Sequence, residues 1–160
     1  MQSPDILHSP AMIHHLQNVL TSYQKAFGAS LISEIPVKDM PDCLWQADFV
    51  LLSHGGGADP VFNFGNRMAL NLFEMDYEAL TSLPSRQSAE PVSQDERNHL
   101  LAQVTEFGCI DDYRGVRISA TGKRFYIEHA RVWNLYDPAG NYTGQAAMFR
   151  EWTCLEEQPV

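Results

Sequence analysis

Between Ala11 and Phe27 the apolar residues Met12, Ile13, Leu16, Val19, Leu20, Tyr23, Ala26 and Phe27 recur at helical spacing, and Gly28 supplies a stop. An amphipathic helix of this kind must bury its stripe, either against the domain itself or against a second copy. Residues 29–44 carry Pro36 and Pro41 and read as a connector. Phe49 to Ser53 is a short apolar run, the mark of a buried strand. His54 to Pro60, with Gly55, Gly56 and Gly57, reads as a turn into a second short strand, Val61 to Phe64. Asn66 is placed to cap a helix with Met68, Ala69, Leu72 and Phe73 on one face, and Asp76 to cap a shorter one through Leu80, ended by Pro84. Ser93 and Glu96 have the spacing of a capping box, opening a helix to about Phe107 with Leu100, Leu101, Val104 and Phe107 as its stripe and Gly108 at its end.

From Tyr113 to Phe149 the pattern changes to three strands, broken at Thr121-Gly122 and again at Asp137 to Asn141. Asp and Pro favour a type I turn, and Gly supplies the positive φ that returns the chain to a strand. Strands and helices are segregated, so the predicted class is α+β: a five-stranded antiparallel sheet with helices on one face, plus the N-terminal amphipathic helix. A cleft is expected between the two layers. The expected organisation is a flexible N-terminus over 1–10, a flanking helix over 11–28, one domain over 45–152 and a flexible tail over 153–160.

Composition narrows the function. The chain of 160 residues, 44% hydrophobic, is long enough for one domain with a real core. No run approaches the ~20 apolar residues that span a membrane, and the N-terminal residues lack the basic and apolar regions of a signal peptide. Cys43, Cys109 and Cys154 are odd in number and widely spaced, which speaks against a disulfide framework or a cysteine zinc site and for a reducing cytoplasm. The net charge is −9, and the lysines are only Lys25, Lys38 and Lys123. Direct nucleic-acid binding and binding to anionic membranes are both disfavoured, because each needs clustered cations.

Several strings fall in an order that resembles a known family. Phe62 to Leu80 is similar to the PAS pattern of strand, Asn, short helix and acidic-aromatic turn. Leu51–Leu70 (LLSHGGGADPVFNFGNRMAL), Leu83–Val92 (LPSRQSAEPV), Gly108–Leu135 and Gly144–Phe149 together resemble the MEKHLA domain, a PAS-like family, over about Leu16 to Trp152. That family occurs as stand-alone bacterial proteins and at the C-terminus of plant homeodomain–leucine zipper proteins. The resemblance implies a PAS-like fold but assigns no reaction and no agreed ligand. The homeodomain and zipper have no counterpart among these residues, so their DNA-binding role does not carry over.

His54 either faces the cleft or hydrogen-bonds its own loop. The glycines after it are not a P-loop, since a strand follows and no Lys-Ser/Thr is present. Arg86, in the polar segment with Ser88, is either a fork for a carboxylate or half of a salt link with Glu90 or an Asp that pins the loop. Tyr113, Gly115 and Arg117 share one strand face, and Arg114, Val116 and Ile118 the other. Which face is inward decides between a polar pocket and a closed core. The candidate ligand-binding residues are His54, Asn63, Arg86, Ser88, Tyr113 and Arg117. Haem is disfavoured because His99 has no accompanying signature. Light-sensing relatives carry a flavin-reactive Cys where this chain has Ser85-Arg86-Gln87-Ser88, which disfavours flavin photochemistry of that kind. His14 and His15 point about 100° apart on a helix and do not make a metal pair. No nucleophile, base and orienter can be assembled.

The expected function is therefore a cytoplasmic PAS-like sensory or regulatory module. It would bind a small molecule in the cleft and signal to a partner protein through the N-terminal helix. The alternatives are a ligand-free interaction or homodimerisation module and, with least support, a small enzyme using His54 and Arg86.

Overall fold

The computed structural model describes residues 2–90 and 93–155. Helix α1 spans Pro10–Phe27; the Ser9 side chain accepts the Met12 N–H at its start, and Gly28 closes it at φ 71°. Pro10 suits the first turn, where its missing N–H would have had no partner. Helix α2, Met40–Trp45, lies where the prolines suggested a connector. Pro41 again sits in a first turn, and burial of Met40, Leu44 and Trp45 supplies what local pattern did not. Strands β1 (Val50–Gly55) and β2 (Phe62–Gly65) form the first hairpin, so His54 and Gly55 belong to a strand, not to the turn. Helices α3 (Arg67–Phe73) and α4 (Tyr77–Leu80), a 3₁₀ turn at Ser85–Ser88 and helix α5 (Gln94–Phe107) follow. The meander is β3 (Cys109–Ile118), β4 (Arg124–Tyr136) and β5 (Tyr142–Phe149).

Strand order is β2-β1-β5-β4-β3, antiparallel throughout, and a short β6, Glu151–Cys154, pairs with the first part of β4. The α+β class and the five-stranded path are as the sequence predicted; β6 is additional. Thr153 and Cys154, expected in the tail, pair with Tyr126 and Phe125, because β5 has left that stretch of β4 open. At the other end, Asp5–His8 forms a 3₁₀ turn and Leu7 is fully buried. Met1 and residues 156–160 of the expected flexible ends, and Pro91 and Val92, lie outside the described residues.

Neighbouring residues on a strand point to opposite faces, and β4 shows what each face carries. Val132 packs with Leu100 and Val104 of α5. Trp133, fully buried, donates from its indole N–H to the Val19 carbonyl of α1 at 3.2 Å and meets Tyr23 edge-on at 5.0 Å. Helix α1 therefore buries its stripe on the outer face of its own sheet, and α5 lies across the inner face. The Tyr136 backbone N–H donating to Ser22 Oγ at 3.0 Å ties α1 to the end of β4. Asn66, with no exposed surface, joins three elements. Its side chain accepts from the Leu51 and Ala69 N–H groups and donates to the Leu44 and Phe49 carbonyls. Phe107 departs from the predicted α5 stripe: it is 69% exposed, because the helix meets the sheet along Arg97, Leu100 and Val104.

Candidate functional site

Two residues with positive φ set the inner face. Asp112 (φ 59°) and His129 (φ 53°) lie on β3 and β4, where the pairing register slips between Ile110 and Tyr113 and again between Tyr113 and Gly115. A bulge re-aims the side chains that follow it. Tyr113, Gly115 and Arg117 face the cleft, with Arg117 only 8% exposed, while Val116 and Ile118 are half-buried. Gly115 matters here because a Cβ at that position would fall on the Tyr113 hydroxyl, which folds back across it. The polar pocket, not the closed core, is what this register builds.

Helix α5 supplies the opposing wall. The predicted capping box does not form: Ser93 caps no N–H, and Glu96 is drawn to the sheet instead. Its carboxylate accepts the Tyr113 hydroxyl and lies 3.4 Å from Arg117 Nη1. Arg117 also donates to the Tyr113 oxygen at 3.0 Å and to the Val116 carbonyl at 2.7 Å. Burial holds the Tyr113 phenol well above its ordinary range. Arg97, the next residue of α5, is 5% exposed and donates to Ser85 Oγ and to Asn98 Oδ1 at 3.3 Å. Among the described residues it has no carboxylate partner in an ion pair. Burial, and secondarily the Arg117 charge, push its guanidinium down to about 10.

Across the sheet floor, His54 of β1, Gln145 of β5 and Asn134 of β4 are register neighbours. Gln145 donates to Asn134 Oδ1 at 3.1 Å, and Asn134 donates to the Val104 carbonyl at 2.9 Å. His54 Nδ1 lies 2.8 Å from the Gly55 carbonyl. A carbonyl only accepts, so Nδ1 carries the proton and Nε2 is the acceptor. Burial lowers the His54 pKa and keeps the ring neutral. His54 thus lines the cleft and also holds its own loop.

The remaining candidates are placed differently. Ser88 lines the cleft and donates to the Ser85 carbonyl at 2.7 Å. Asn63 accepts from Ser53 Oγ, which also meets His15 of α1 at 2.8 Å, so it belongs to the side of β1 opposite His54. Arg86 pairs with Asp59 at 3.0 Å, both about half exposed, outside the cavity lining. His99 is exposed, and Glu128 accepts from Thr153 at 3.3 Å. Arg97, Ser85 and Gln145 were not foreseen. Arg97 had a signal, since it stands three, four and seven residues before Leu100, Leu101 and Val104 on the apolar stripe.

Together these groups surround a cavity of about 80 Å³ under α5. Leu52, Phe73, Ile127, Ala130 and Val132 form its apolar walls, and His54, Ser85, Ser88, Arg97, Tyr113 and Arg117 its polar ones. Among the described residues no group of His, Cys, Asp or Glu could hold a metal ion. Among the described residues no helix is long and apolar enough to cross a membrane. What the arrangement can do is desolvate a small molecule and offer it positive charge on one side.

A family model, the MEKHLA domain, matches residues 13–154. The homeobox-leucine zipper protein HOX29 of Oryza sativa subsp. indica is 28% identical over 146 residues, covering 86% of this chain and 16% of that protein. HOX9 of the same subspecies is 24% identical over 137 residues, 84% of this chain and again 16% of its own length. The chain thus spans about a sixth of these plant relatives. Among solved structures, the PAS domain of a Colwellia psychrerythraea protein superposes with a TM-score of 0.62 at 12% identity, over 72% of this chain and 95% of that one. A light-oxygen-voltage domain from a flavin-analogue study gives 0.57 at 14%, over 74% and 86%. These structures fix the fold as PAS-like. A flavin does not fit the side chains as they stand, because the cavity is several-fold smaller than the ~300–1,000 Å³ typical of sites for ligands of that size.

Proposed function

The chain belongs to the MEKHLA domain family, a PAS-like sensory module, and from that premise we propose that it binds a small molecule between the sheet and α5 and passes the occupancy of that site to a partner protein in the cytoplasm. The observation that carries this reading is the cavity under α5 walled by buried cationic and polar groups, in a place where a purely structural core would put apolar ones. The route outward is short. Val132 touches α5, its neighbour Trp133 touches α1, and a shift of β4 on occupancy would be felt by both helices. The same continuity supports α1 as the reporting element. The test is native mass spectrometry and an absorbance scan of freshly purified protein, followed by melting shifts over a panel of anionic, neutral and cationic metabolites. An adduct or a reproducible shift supports the reading. A protein with neither, across the whole panel, overturns it.

A second reading is a ligand-free interaction or homodimerisation module, favoured by the modest size of the cavity and by an open groove of about 870 Å³ between α1 and residues 30–40. Because the α1 stripe is already buried on its own sheet, such contacts would use the groove side of the helix, Gln17, Thr21 and Gln24. Substituting these residues should change the oligomeric mass or partner binding; unchanged behaviour removes this version.

A further inference from the structure

The charges around the cavity do not balance. Arg97 and Arg117 are both buried, and the only acidic group joined to either by an ion pair among the described residues is Glu96, whose side chain is 43% exposed. His54 is neutral. The remaining acidic neighbour of the Arg97 side, Asp59, is engaged by Arg86 at the surface. One positive charge is therefore enclosed without a partner, and desolvated charge without a counterion is costly.

We propose that the cavity is a site for a short-chain monocarboxylate, with its carboxylate between the guanidinium groups of Arg97 and Arg117 and its chain against Leu52, Ile127, Ala130 and Val132. This rests on the small-molecule reading above and names its ligand class. Arginine forks match a carboxylate in two parallel hydrogen bonds, strongest where water is excluded. The apolar walls select a carboxylate with a hydrocarbon body over inorganic phosphate, which would leave them wet. Size sets the chain length. At roughly 10–15 Å³ for each water-sized occupant, a cavity of about 80 Å³ holds about five to eight heavy atoms, the range of propionate to hexanoate. Glu96 already occupies one side of Arg117, so an incoming carboxylate shares or takes that position and releases Glu96 to solvent.

The experiment is calorimetric titration of the full chain with valerate, its neutral isostere valeramide, and inorganic phosphate at constant ionic strength. Valerate should bind, and valeramide and phosphate should each bind at least roughly 10-fold more weakly. Arg97→Gln should weaken valerate by a similar factor and leave valeramide nearly unchanged. If that variant does not fold, Arg97→Lys, which keeps the charge but loses the fork, should weaken valerate roughly 3-fold or more. Valeramide or phosphate binding as well as valerate, or unchanged valerate affinity in the variant that folds, overturns the proposal. If valerate fails while a neutral or cationic member of the metabolite panel binds, only the carboxylate assignment falls. If nothing in the panel binds, the small-molecule reading falls with it.

Discussion

Replacing Arg97 by Met should make the empty protein more stable, and the magnitude can be worked from its surroundings. Burial and the Arg117 charge push the Arg97 guanidinium down to about 10. At ~1.4 kcal/mol for each tenfold change, keeping it charged in the folded state opposes folding by roughly 3 kcal/mol. The sign follows from linkage: a cation whose folded pKa is depressed carries its full penalty at neutral pH, and the penalty is relieved only as pH rises past about 10. Against this, Met forfeits the hydrogen bonds to Ser85 and Asn98, together about 1–2 kcal/mol, while its unbranched chain replaces the aliphatic stem. The net expectation is about 1–2 kcal/mol of added stability. Urea unfolding at pH 7, followed by the fluorescence of Trp45, Trp133 and Trp152, reads this directly. A loss of more than about 1 kcal/mol would show that Arg97 is a structural tie and not a charge held for a ligand.

Three further outcomes are expected. Asn66→Ala removes four buried hydrogen bonds that join β1, α3 and the end of α2, and should cost roughly 3–4 kcal/mol in the same unfolding assay, whereas a loss under 1 kcal/mol would mean the backbone groups find other partners. Burial lowers the pKa of both His15 and His54, so their contribution is fully present above the unfolded value near 6.5 and is lost as pH falls below it; the urea midpoint should drop between pH 7 and 5.5, and the drop should shrink in a His15→Asn, His54→Gln double variant. Gly115→Ala should drive the Tyr113 hydroxyl away from Glu96, raise the accessibility of Tyr113 to iodination, and leave the far-UV circular dichroism unchanged; an unreactive Tyr113 would contradict that placement.

Much of the chain was legible in sequence because the signals were local. The α1 stripe with Gly28, the Asn66 and Asp76 caps and the two meander turns each depend on residues within a few positions, and all of them appear where the pattern put them. The errors had one local and one long-range cause. Two prolines hid α2, since a proline in the first turn looks the same in sequence as one in a connector. Ser93 and Glu96 have capping-box spacing, but an arginine and a tyrosine from a strand 17 to 21 residues away compete for the carboxylate and win it.

The site divides along the same line. Sequence alone determined that this is an acidic α+β domain of PAS-like order, with its polar residues gathered on β1, β3 and the segment around Ser85. It could list Tyr113 and Arg117 on one face but not say which way that face turned. That was decided by the slips in β3–β4 pairing around Asp112 and His129, where one extra residue reverses every side chain beyond it. Tertiary structure alone also put Arg97, and not Arg86, against the cleft. An exposed loop arginine finds the nearest carboxylate, Asp59, whereas one on the buried stripe of a helix is carried into the cleft and left there without a counterion.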